Sequence, residues 1–393
     1  VRHDRRWWRP PGPVPVDRRV TPFEIFFDLV FVFALTRIMA LVGPHPTPAG
    51  MGRGLLLLVL LWFAWSSYTW LGNHTRADVG VARGGFLVAM AALFVAALVM
   101  PRAWTPGPGL DGPLLVAFAY VLLRVVHLAL FHLVAGDDAP LRARIRFFAL
   151  VSVVGWAALL LGAVLAGAGQ AALWVLAFLV EVVGQRLSYA RRGSWPLRSP
   201  PHFAERHTLV LIIALGESVV AAGVGAGSAV TSPPVLGVAL VGFTVTVCLW
   251  WLYFRRTAPA AAHALGAAAP ARRDRIAADA YSQTHLMLIV GVIYLAIGVE
   301  QVLAHVSGAD PAARLSRSAA VALFGGAAVY LTGCLLFRRL TEQPVGPARL
   351  AVTGAVVPLA SVGVALPPAV ALGLLAGLLL VAVAADRHGQ PAA

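Results

Sequence analysis

Thr21-Pro22-Phe23-Glu24-Ile25-Phe26-Phe27-Asp28-Leu29-Val30-Phe31-Val32-Phe33-Ala34-Leu35 is the stretch on which the reading of the whole chain turns. It opens an apolar run of about twenty residues, enough at about 1.5 Å per residue to cross roughly 30 Å of hydrocarbon. That length suits a retained first helix better than the shorter apolar region of a cleavable signal, despite the basic arm before it. Pro22 fits a first helical turn, where its missing N–H costs little. Two acids interrupt the run. Glu24 and Asp28 stand i, i+4, so their carboxylates share one helical face. Glu24 lies near the expected interface and reads as hydrated there, whereas Asp28 lies deeper.

Working outward, similar runs recur to the end of the 393 residues. Hydrophobic residues make up 59% of the chain and charged residues 12%, with a mean hydropathy of +0.80. A soluble domain carries about twice that charged fraction, so the soluble class is excluded. Spans are expected near 22–42, 54–72, 84–100, 113–134, 147–167, 170–189, 208–228, 235–255, 281–305, 319–338, 350–366 and 369–385. The fold class is therefore all-α, a polytopic bundle of about twelve transmembrane helices. A basic arm (1–21) precedes the membrane domain (22–385), and a short tail (386–393) follows it. Connections are short and rich in Gly, Pro and Arg, leaving no room for a separate soluble domain.

The net charge of +14 comes with 31 Arg and no Lys. In a soluble protein that balance points to nucleic acid, but here the arginines fall between apolar runs and read as topology. The N-terminal arm (Arg2, Arg5, Arg6, Arg9, Arg18 and Arg19), alternate connections and the tail together collect 25 of them, those of the connections including Arg142, Arg144, Arg146, Arg186, Arg191, Arg192, Arg198, Arg206 and Arg349. The other side holds Arg53, Arg102, Arg314 and Arg317, while Arg37 and Arg124 lie within spans. This asymmetry places both termini in the cytoplasm of a bacterial inner membrane. Cys248 and Cys334 both sit in apolar runs and read as packed thiols.

An internal duplication is a further reading. Asp28 and Glu217 are 189 residues apart, and Trp62 and Trp65 precede Trp250 and Trp251 by nearly the same offset. Halves at 22–189 and 208–385 would each hold six helices, related as parallel repeats.

Ionisable groups at membrane depth are costly and face a bundle interior or a hydrated cavity. Five stand out: Asp28, Arg124, His127, Glu181 and Glu217. Measured along their spans from the arginine-rich side, they lie about 9, 15, 10, 12 and 13 Å in, respectively. Convergence on one cluster is the simplest arrangement that pairs them all. Three carboxylates against one arginine would leave excess acid, met by a protonated His127 or a protonated carboxyl. In the fourth span Tyr120, Arg124, His127 and Phe131 form one stripe. Glu24, His285, Trp65 and Trp251 are secondary candidates. For the tryptophans interfacial anchoring is the expectation, and for His285 an interfacial position.

Two interpretations of the cluster stay open. One is a buried charge network that fixes helix register. The other is a proton or cation site, or an anionic-substrate site built on Arg124. No phosphate loop, nucleotide fingerprint, zinc spacing or nucleophile elbow is present, so neither enzyme nor cofactor nor metal has positive support. The expected partners are membrane lipid and an ion or small solute, without nucleic acid; an oligomer is compatible with the sequence.

Several segments resemble the bacterial low-temperature-requirement A family. They are Val20–Ala34, Trp62-Phe-Ala-Trp65 with Tyr68-Thr-Trp70, Ile213-Ala-Leu-Gly-Glu-Ser-Val-Val220, Trp250-Trp-Leu-Tyr-Phe254, and His285 through Glu300, in order over residues 20–340. The resemblance implies a polytopic membrane protein named for a cold-growth phenotype, with no settled biochemical activity. Arg255 stands where the family pattern often has Asp. Phe27-Asp28-Leu-Val-Phe-Val-Phe-Ala is also similar to the Phe-Ser-Asp segment of a lysosomal potassium/proton channel family, with Phe27 in place of Ser. That second likeness points toward ion conduction.

Overall fold

A computed structural model describes residues 15–107, 111–193, 195–308 and 313–388. The expectations for Arg2, Arg5, Arg6, Arg9 and the end of the tail lie outside the described residues. All described secondary structure is helical. In chain order the α-helices are α1 (Pro22–Val42), α2 (Pro48–His74), α3 (Gly80–Val99), α4 (Gly112–Val134), α5 (Ala139–Leu165), α6 (Gly167–Arg192), α7 (Pro200–Ala226) and α8 (Pro233–Phe254). There follow α9 (Thr257–Ala267), α10 (Pro270–Arg275), α11 (Thr284–Val306), α12 (Arg317–Ala320), α13 (Gly326–Leu340), α14 (Pro347–Val362) and α15 (Pro368–His388).

Among the described residues, twelve helical segments are long and apolar enough to cross a membrane. They outnumbered no expectation: each overlaps one of the twelve apolar runs. Three are composite. The eighth segment joins α8 to α9, and π-helical turns at Ile276–Gln283 and Val321–Gly325 join α10 to α11 and α12 to α13. The main departure from expectation is at the ends. α7 begins at Pro200 rather than near 208, and α2 at Pro48 rather than near 54.

The start of α1 shows how local sequence sets an end. Thr21 Oγ1 accepts from the Glu24 N–H at 3.3 Å, and Glu24 Oε2 accepts from the Thr21 N–H at 3.0 Å. This reciprocal capping satisfies two donors that a helix start leaves open. Asp111 caps α4 and Asp138 caps α5 in the simpler way, each accepting from the N–H three residues on.

The chain divides into two compact units. The first holds the residues up to Leu41, Gly52–Arg206 and Ala269–Arg275; the second holds Val42–Met51, His207–Ala268 and the residues from Ile276 on. In the first, α3, α4, α5 and α6 pack in sequence order. α5 and α6 form a tight antiparallel hairpin, turned by Ala166 at φ 55° and Gly167 at φ 57°. Gly155, Gly162 and Gly184 lie in its seam, where a Cβ at Gly184 would meet Val151 Cγ1 at 2.6 Å.

In the second unit α11 is packed by α13 and α8, with apolar residues buried almost all round it. Gly291, Gly298 and Gly326 let the α11 and α13 backbones approach closely, as small residues do between membrane helices. Cys248 and Cys334 are buried free thiols.

Candidate functional site

One buried polar assembly of the first unit grows from α1. Glu24 and Asp28 are both fully buried, so the hydrated position expected for Glu24 is corrected. Its Oε2 accepts from Arg18 Nη2 at 2.9 Å and from Thr21 Oγ1 at 2.9 Å. Its Oε1 accepts from His202 Nε2 at 2.9 Å. Both oxygens are therefore committed to protein donors. Arg18 in turn donates to the carbonyls of Gly72 (2.8 Å) and Thr75 (2.6 Å), clamping the segment before α1 onto the end of α2.

Asn73 fixes the histidine. Its Oδ1 accepts from the backbone N–H groups of Arg198 and Ser199, which leaves its Nδ2 to face Ser199 O at 2.7 Å and His202 Nδ1 at 3.4 Å. His202 Nδ1 is then an acceptor and Nε2 carries the hydrogen given to Glu24.

Asp28 is used differently. Oδ1 accepts from Arg206 Nη2 at 2.5 Å and from the Trp65 indole N–H at 2.7 Å. Oδ2 has no hydrogen-bond partner among the described residues, and neither have Arg206 Nε and Nη1. Arg206 is itself fully buried, beside the Phe27 and Trp65 rings, with Nη1 3.6 Å from Glu24 Oε1. One guanidinium thus stands between two carboxylates one helical turn apart.

Arg206 and Arg18 correct the charge balance read from the sequence, where Arg206 was assigned to a connection and Arg18 to the basic arm. α7 starts two turns earlier than its apolar run, so Arg206 lies inside the helix and the unit. With it, Glu24 and Asp28 face two arginines, and no excess acid remains. The available signal was the pair Pro200-Pro201, a helix-start mark ahead of the polar stretch His202–His207.

Arg124 pairs with Glu181 rather than with Asp28. Its Nη2 donates to Glu181 Oε2 at 2.9 Å and its Nη1 to Ser67 Oγ at 2.6 Å, and its guanidinium lies over the Phe63 and Phe148 rings. Glu181 also accepts from Ser152 at 3.3 Å and from the Trp156 indole at 3.1 Å. Both of its oxygens are filled. His127, one turn from Arg124, lines a cavity of about 30 Å³ with Phe63, Ser67, Phe131, Gln185 and Trp195. That volume is room for one or two waters.

Residues 19–385 match the family described as bacterial low temperature requirement A protein (LtrA). The chain belongs to this family. An uncharacterized protein of Rhizobium meliloti (strain 1021) is 28% identical over 330 residues, covering 81% of this chain and 77% of that relative. No solved structure matches. Family membership and the twelve apolar helices together make this a multi-pass membrane protein.

The LtrA segments distribute over both units. The first places Glu24 and Asp28 in α1, and the second places Trp62, Trp65 and Trp70 in α2, all three with buried side chains. Trp65 stacks on Trp62 with ring centroids 4.7 Å apart. The third carries Glu217, half-buried on α7 within the second unit, next to Ser218, whose hydroxyl meets Thr246 Oγ1 at 2.8 Å. Trp251 lies under the Arg255 guanidinium at 5.6 Å. His285 is fully buried: its Nδ1 donates to Tyr281 O at 2.9 Å, so its Nε2 accepts from the Tyr253 hydroxyl at 2.6 Å. The five principal candidates thus enter different assemblies: Asp28 with Arg206, Arg124 with Glu181, His127 at a cavity wall, and Glu217 in the second unit.

Proposed function

We propose that this LtrA protein is a transporter or channel-like protein for a proton, cation or small solute, and that Asp28 is the group on which the moving species acts. The observation that carries this reading is the unequal use of two neighbouring carboxylates. Glu24 spends both oxygens on protein donors, whereas buried Asp28 Oδ2 and Arg206 Nε have no hydrogen-bond partner among the described residues and Arg206 Nη1 meets Glu24 Oε1 only at 3.6 Å. Buried polar atoms are normally satisfied, and those that are not mark a place for water or a ligand.

The geometry supports a simple exchange. An ionised Asp28 holds Arg206 by Nη2; a protonated or cation-bound Asp28 releases it. Glu24 Oε1, 3.6 Å from Nη1, is then the alternative partner. Arg206 becomes a pivot between two carboxylates, and its position reports the state of Asp28. In this reading the arginine-rich connections and both termini face the cytoplasm of the inner membrane.

The test is flux in proteoliposomes against a panel of ions, with Asp28→Asn beside the wild type. Loss of flux with retained folding supports the reading; wild-type flux in Asp28→Asn overturns it. A second reading has its own observation. The Arg124–Glu181 pair is closed on every carboxylate oxygen, as a register-fixing network would be. It favours a non-transporting protein that supports growth at low temperature by organising lipid or partner proteins. Absence of flux for every ion tested, with full rescue of cold growth by Asp28→Asn, selects it.

A further inference from the structure

We propose that the open end of the α5–α6 hairpin is a binding site for anionic phospholipid, with the arginines holding the headgroup and the helices below them carrying the acyl chains. This stands apart from the transport reading and uses none of its residues.

The hairpin turns at Ala166 and Gly167, so the start of α5 and the end of α6 lie together at its other end. Arg144 proves the closeness by donating from Nε and Nη2 to the Arg192 carbonyl at 3.1 and 2.7 Å. That end gathers Arg142, Arg144 and Arg146 from α5 with Arg186, Arg191 and Arg192 from α6. Arg146, Arg191 and Arg192 are exposed. The acids here are already engaged or few: Asp138 caps α5 through Leu141 N, Asp274 accepts from Leu197 N, and Asp137 is exposed. The charge is cationic and concentrated.

What lies beneath the arginines points to lipid rather than to a soluble anion. Below Arg146 on α5, Leu150 is 72% exposed, followed on the same face by Val153 and Leu161. Below Arg186 on α6, Val183 is 59% exposed, followed by Leu179 and Leu176. Each helix therefore presents a cationic head over an aliphatic stripe, about three turns long on α5 and about two on α6, the pattern of a phospholipid in relief.

The test uses the full chain, purified and exchanged into mixed micelles containing dioleoyl-phosphatidylglycerol or dioleoyl-phosphatidylcholine, with bound lipid counted by native mass spectrometry. The expected result is preferential retention of phosphatidylglycerol. It should fall on the order of fivefold for each arginine removed in Arg146→Gln, Arg191→Gln and Arg192→Gln, and fall again in high salt. A control with the same charge loss, Arg83→Gln with Arg255→Gln and Arg339→Gln, should retain the lipid. Equal retention of the two lipids, unchanged retention in the triple variant, or equal loss in the control overturns the site. Displacement of the lipid by millimolar inorganic phosphate overturns the lipid assignment. All the substituted arginines have exposed side chains, so folding is not at stake.

Discussion

Two ion-pair assemblies sit inside the first unit, and they close differently. At Arg124–Glu181, both carboxylate oxygens are filled, by Arg124, Ser152 and Trp156, and only Arg124 Nε is without a hydrogen-bond partner. At Asp28–Arg206, one carboxylate oxygen and two guanidinium nitrogens have no hydrogen-bond partner among the described residues, and one of those nitrogens, Nη1, has only the longer contact to Glu24 at 3.6 Å. Both are buried, and both are balanced in charge. The difference teaches that burial of charge in a membrane protein is compatible with scaffold or site, and that the accounting of the carboxylate lone pairs separates the two.

The comparison breaks first at Glu181. Glu181→Ala strands the Arg124 guanidinium in a closed environment and should cost about 3–5 kcal/mol. Thermal unfolding in detergent would read this, and the Arg124→Met, Glu181→Met pair should recover most of it because neither charge is left alone. A Glu181→Ala protein as stable as wild type would remove the distinction drawn here.

Glu24→Gln comes next. It loses the charge that Arg18, His202 and the capping pair with Thr21 all use, so about 2–3 kcal/mol is expected by the same reasoning. The start of α1 should loosen with it, seen as faster hydrogen exchange at residues 21–26 than in Asp28→Asn.

Asp28→Asn should cost less, about 1 kcal/mol, because Glu24 remains within reach of Arg206 and the amide keeps the Trp65 bond. Flux should nevertheless be abolished. A destabilisation as large as that of Glu181→Ala would place Asp28 among the scaffold charges.

An exposed pair calibrates the low end. Arg76 and Asp78 meet at 2.8 Å between α2 and α3, with the Arg76 side chain 56% exposed. The hydrogen bond from Arg76 holds the Asp78 carboxyl below its usual range. Its stabilisation is therefore present at neutral pH and fades as pH falls through that lowered value. Arg76→Ala should change stability by less than about 0.5 kcal/mol at neutral pH, measured by the same unfolding assay.

The amino-acid sequence by itself determined the twelve spans, because transfer of a segment into hydrocarbon is a sum over its own residues and needs no knowledge of neighbours. For the same reason it marked Asp28, Arg124 and Glu181 as anomalies: each is costly wherever its helix packs. It misplaced Arg206 because His202, Glu205, Arg206 and His207 depress the local sum, so the first turns of α7 read as a connection. Only the tertiary structure decided which charge meets which. That depends on the rotation and end of each helix, and on partners distant in sequence: Asp28 lies 178 residues from Arg206. A buried charge is tolerated once its partner is in place, and hydropathy, which scores each residue alone, contains no term for the partner.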